Sequence, residues 1–288
     1  MSFIFVQIYY CLYLKCCDIK DSSPLNVLMK KIIPFVWNTK SFFFLFFGFI
    51  LFTIIGTLTH ECGHYLASRF LGFKGGKIGY AYTEIGENDY TTAYRKAIKQ
   101  YGVEIANHSD FPGMKQFETD KDKSQRDWLL VGIAGPLETI LTGSIGLIIL
   151  IVYRNKFLNS DSLSPIQWMS ILVTLFWLRG SFNLMTWLCT FLLTGKKLIR
   201  SDEFFISMNL GLGPLTISIL SAISGILVLL YVLFRIIPVR QRLTFLCAGF
   251  TGGIAGALLW LVFLGPKIMP WSCLSRCITN AIWMKTLH

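Results

Sequence analysis

Five long apolar runs set the frame of this chain. They fall at residues 41–67, 128–153, 166–194, 212–237 and 243–264, separated by polar or charged segments. At 1.5 Å of rise per residue, about 20 apolar residues in a helix cross a hydrocarbon layer of about 30 Å. Inside lipid the backbone has no water to bond, so such runs are expected to be helical. The pattern predicts a mainly α, polytopic membrane helix bundle of about five transmembrane helices.

The segment 71–127 is the substantial stretch outside these runs. It opens with glycine-rich, strand-like sequence at 73–82 and closes on mixed charge at 118–127. A small extramembrane β-containing loop region with a hairpin is expected, and the nearly balanced charges read as a solvated surface. The expected organisation is an N-terminal segment at 1–40, a core at 41–212 and C-terminal membrane helices with a tail at 213–288. The core carries three transmembrane helices and the insert 71–127. Residues 1–14 are apolar but too short to span, and they lack the basic n-region of a signal peptide. Met29, followed by Lys30 and Lys31, is a more natural start before a membrane helix, so 1–28 are expected to be an over-extended or disordered leader.

Composition agrees with this picture. Of 288 residues, 53% are hydrophobic and 15% charged, against about 25% charged in an ordinary soluble domain. The mean hydropathy is +0.56. The net charge of +11 comes from Lys and Arg that flank the apolar runs. That placement suits a lipid bilayer with an anionic face. No basic stripe interleaved with aromatics is visible, so no nucleic-acid partner is expected. Arg235, Arg240 and Arg242 in a short connection argue for a cytoplasmic side, and Lys30, Lys31 and Lys40 agree, whereas Lys196, Lys197 and Arg200 fall opposite. The orientation stays open. Eight cysteines form no CxxC pair, and Cys11, Cys189 and Cys247 lie in apolar stretches, so no disulfide scaffold is expected. Trp260 and Trp271 are candidate interface anchors.

The chemistry lies in Thr57-Leu58-Thr59-His60-Glu61-Cys62-Gly63-His64, which contains His-Glu-x-x-His at the end of the first apolar run. Residues four apart share a helix face, so both imidazoles can reach one Zn²⁺ at about 2.0–2.1 Å. Glu61 is then the candidate general base, taking a proton from an attacking water. Ionisable groups at the end of an apolar helix are costly without a function. Cys62 is turned off the shared face and reads as filler. Gly63 permits close approach by another element.

A hydrophobic helix ending in His-Glu-x-Gly-His resembles the site-2 protease class of intramembrane metallopeptidases. Ala134-Gly135-Pro136 near the start of the next run is similar to the Gly-Pro that recurs there in that class. Phe182-Asn183-Leu184 resembles the start of its Asn-x-x-Pro…Asp-Gly segment, although no Pro follows Asn183 at the expected spacing and Asp-Gly is absent. The similarity covers roughly residues 41–212. It implies a third, carboxylate ligand, for which Asp202 is the first candidate and Glu203 the second, with Gly135, Pro136 and Asn183 supporting the site. Ser201 with the two acids also reads as a helix cap facing the dipole. With five alternating spans, the helix ends that carry these residues are expected to converge on one membrane face.

The resemblance implies a zinc metalloendopeptidase of a bacterial-type plasma membrane, acting on membrane-protein or peptide substrates. The alternative is a non-proteolytic zinc-binding membrane protein, an inactive homologue or scaffold, motivated by the missing Asp-Gly. A transporter using Glu138 and Arg179 ranks below both, since no internal repeat is visible. Glu138 and Arg179 are expected to form a structural pair within the spans. The stretch 141–146 reads as small-residue helix packing. Gly249, Gly252, Gly253 and Gly256 suggest close packing within the chain or in a homo-oligomer. His108 reads as a surface residue.

Overall fold

The computed structural model describes residues 36–158, 163–195 and 201–269; the leader expected at 1–28, Cys11 and Trp271 lie outside them. Five helical stretches are long and apolar enough to cross a membrane: Thr39–Phe70, Met114–Val152, Pro165–Thr194, Thr216–Ile236 and Val239–Ile268. The chain is thus mostly helical, and its five candidate spans coincide with the five apolar runs.

The first span is one helix, α1 (Thr39–Phe70), started by the Asn38 side chain, which accepts from the Ser41 amide at 3.0 Å. After it come two short antiparallel strands, β1 (Lys77–Ile78) and β2 (Thr83–Glu84), with Lys77 opposite Glu84 and Ile78 opposite Thr83. The strand-like stretch 73–82 therefore supplies only one arm of the hairpin. Its second arm runs on to Glu84, because the turn falls at 79–82, where the Gly79 amide bonds to the Tyr82 carbonyl at 2.8 Å.

Most of the insert is helical rather than extended. Helix α2 (Asp89–Ala106) is capped by Asn88 and packs on α3 (Met114–Val152). The charged stretch 118–127 is no loop but the first turns of α3. Asp120, Ser124 and Asp127 are buried on one side of it; Ser124 pairs with Thr91, and Asp127 accepts from Asn88 at 2.8 Å.

Beyond that charged start, α3 buries small residues and exposes large apolar ones. Val131, Gly135, Thr139, Gly143, Gly146 and Leu150 are buried along one stripe, while Leu137, Leu141, Ile145, Ile148 and Val152 are exposed. That pattern suits a bilayer: lipid is as apolar as leucine, so large side chains would gain nothing there by turning inward, and small residues let helices approach. Gly143 admits Trp177 and Gly146 admits Thr174. The third span is broken: α4 (Pro165–Thr174) passes through a 3₁₀ turn, Leu175–Leu178, into α5 (Arg179–Thr194). A short helix, α6 (Asp202–Asn209), precedes α7 (Thr216–Tyr231), and α8 (Arg242–Leu258) begins the last stretch. There Gly252 and Gly256 bring the α8 backbone onto Phe46 and Ile50 of α1. These two glycines of the final span are used within the chain.

Candidate metal centre

Three helices meet at the C-terminal half of α1. His60 and His64 lie one turn apart on α1, buried at 1% and 7% exposure. Their Nε2 atoms are 3.2 Å apart. The Oδ2 atom of Asp202, in the first turn of α6, lies 2.8 Å from His60 Nε2 and 3.4 Å from His64 Nε2. Ligands on a tetrahedral Zn²⁺ at about 2.0–2.1 Å stand about 3.3 Å from one another. The triangle of two nitrogens and one oxygen fits that spacing, and the three residues form a group able to hold a metal ion.

Two features of α3 build the triangle. The Val131 carbonyl lies 2.7 Å from Nδ1 of His64. A carbonyl can only accept, so Nδ1 carries the hydrogen and Nε2 keeps its lone pair for the centre. Gly135 lies directly under the rings: a Cβ there would collide with Nε2 and Cε1 of His64 and with Nε2 of His60. Gly63 in turn packs against the Ala134 carbonyl and Glu138, where a Cβ would come within 2.7 Å of the oxygen.

The acids divide their roles. Ser201 caps α6, accepting from the Phe204 amide at 3.2 Å, and Asp202 faces the histidines. Glu203, 3% exposed, instead accepts from Asn183 Nδ2 at 3.1 Å and 3.4 Å. Through this bond Asn183 ties α5 to the first turn of α6. Pro136 lines a small pocket beside the centre, together with Arg179, Gly180 and Glu203.

Glu61 is 5% exposed. The Thr83 hydroxyl lies 3.0 Å from its Oε2 and 2.8 Å from its backbone oxygen. The motif gave no signal for Thr83, which is brought in by hairpin folding. Trp260 is a correction: it is buried at 6% exposure and its indole nitrogen donates to the Tyr80 carbonyl at 2.7 Å, so it anchors the hairpin and not a membrane interface. Glu138 and Arg179 are another. No ion pair joins them among the described residues. Glu138 Oε1 accepts from Thr142 at 2.8 Å, because Thr142 is one turn away on the same face. Its Oε2 and the Arg179 Nε are buried without a hydrogen-bond partner. Cys62 stands outside the triangle, and Cys62, Cys189 and Cys247 are free thiols. His108 follows the C-terminus of α2 with a positive φ of 52° and is exposed, as a surface residue.

No family model, curated protein or solved structure matches this chain.

Proposed function

We propose that the protein is a multi-pass integral membrane zinc metallopeptidase of the site-2 protease class, which hydrolyses peptide bonds in membrane-associated substrates. The observation that carries this reading is the convergence of two imidazole Nε2 atoms and the Asp202 carboxylate beside a buried glutamate. Two nitrogens and one oxygen, with a position left open, form a donor set suited to catalytic zinc. A cation bound there supplies Lewis acidity, polarising a carbonyl and acidifying water.

The remaining work belongs to the chain's own groups. Glu61 accepts the proton of the attacking water and delivers it to the leaving amine. The Thr83 hydroxyl donates to Glu61 while that side chain is a carboxylate. Once Glu61 carries the proton, the same oxygen can accept from it and turn its own hydrogen to the Glu61 carbonyl, 2.8 Å away. Asn183 and Glu203 hold the first turn of α6, and with it Asp202, against the histidines.

A substrate helix shields its carbonyls in its own hydrogen bonds, so it must unwind before cleavage. Among the described residues the β1–β2 hairpin pairs only with itself, aside from the flanking Lys74–Glu87 bridge. An open strand edge beside Glu61 suits an extended peptide. The test is cleavage of membrane-anchored peptides in proteoliposomes. Wild type is expected to cut, with loss of activity on chelation and in Glu61→Gln. Zinc retained by a wild type that cuts nothing would favour the non-proteolytic zinc-binding alternative.

A further inference from the structure

The hairpin that carries Thr83 is too small to hold its own position. Each strand has two residues, and an isolated two-stranded hairpin is marginal even at greater length. One fixed point lies on the last span. Trp260 and Tyr80 are buried at 6% and 8% exposure, and the indole N–H donates to the Tyr80 carbonyl at 2.7 Å. A buried indole nitrogen needs such an acceptor. Gly265, one turn further on, leaves room for the Tyr80 ring, which a Cβ would meet at 2.6 Å. The span widens into a π-helix over Leu259–Leu264; such widened turns put side chains out of α-helical register. Three residues after Tyr80 comes Thr83, at hydrogen-bond distance from Glu61.

We propose that the last span belongs to the working site: through Trp260 it fixes the hairpin, and the hairpin, through Thr83, positions Glu61. Trp260 and Thr83 are positioning residues. Their hydrogen bonds run to Glu61 and to the Tyr80 carbonyl, so both act through the glutamate. The inference rests on the peptidase reading for its kinetic consequence and on the geometry alone for its mechanical one.

The experiment uses the full chain in proteoliposomes with Thr83→Val, Thr83→Ser, Trp260→Phe and the Thr83→Val/Trp260→Phe double variant. Each is read by zinc content, by kcat and KM on a membrane-anchored peptide, and by amide hydrogen exchange. Thr83→Val is expected to lower kcat about tenfold or more with KM and zinc content little changed, since outer partners of a site cost on that order. Thr83→Ser restores most of the loss. Trp260→Phe lowers kcat several-fold and raises exchange across 77–84 while α1 stays protected. The double variant is no slower than Thr83→Val alone. Wild-type kcat in Thr83→Val, or unchanged hairpin exchange in Trp260→Phe, overturns the proposal. Raised hairpin exchange in a chain with no peptidase activity would overturn the peptidase reading and leave the anchoring intact.

Discussion

The Val131 carbonyl accepts a hydrogen bond from His64 Nδ1 at 2.7 Å, and this bond decides which face of the imidazole looks at His60 and Asp202. The ring is fixed from α3, the helix whose small-residue stripe also admits it. The two histidines are therefore seated by one helix–helix contact, and Asp202 joins them from α6. The partner carbonyl of a metal-ligating histidine is commonly as important to the site as the ligand.

That contact makes Gly135 a sharp test. An alanine methyl there would sit against both imidazoles. Gly135→Ala is expected to weaken zinc binding by about 10–100-fold. Isothermal titration or competition with a chromogenic chelator would measure it, with circular dichroism showing the helices retained.

Asp202 and Glu203 are adjacent acids with different partners, and substitution should separate them. Asp202→Asn is expected to lose zinc, whereas Glu203→Gln keeps most of it. Asn183→Ala and Glu203→Ala should be coupled by about 0.5–3 kcal/mol in a double-mutant cycle, because each removes the same bond. Additive effects on zinc affinity would mean that Asn183 does not work through Glu203.

The legible parts of the site were those written locally. His60, Glu61 and His64 lie within one helical turn, and five apolar runs announce five spans. Asp202 was nameable only through a family resemblance, and its choice over Glu203 depended on which side of α6 meets α1. Thr83 and Val131 were silent and Trp260 was read as an interface anchor, because their partners lie 22, 67 and 180 residues away in sequence. The start of α3 was misread because its charges suggested solvent. The spacing of Asp120, Ser124 and Asp127 was the helical signal, a polar stripe that pairs with Asn88 and Thr91 of the α2 start. Glu138 and Arg179 were paired on the cost of burying charge, but sequence depth carries no azimuth, and Glu138 found Thr142 on its own helix.

The glycines of α8 allow a paired stability test. A Cβ at Gly252 would stand 2.6 Å from the Phe46 carbonyl, while at Gly253 it would meet nothing within 4 Å. Gly252→Ala is expected to destabilise by about 1–3 kcal/mol through overpacking. Gly253→Ala should be neutral or stabilising by up to about 1 kcal/mol from helix propensity. Thermal unfolding in detergent, followed by circular dichroism, would show whether the two midpoints move in this order.

The most direct measurement is the zinc content of the purified protein, by elemental analysis, for wild type, Glu61→Gln and Asp202→Ala. One zinc per chain is predicted for wild type and for Glu61→Gln, which keeps all three donors, and a strong loss for Asp202→Ala. A wild type without stoichiometric zinc after purification in its presence, or an Asp202→Ala variant that holds it as tightly, would contradict the centre described here.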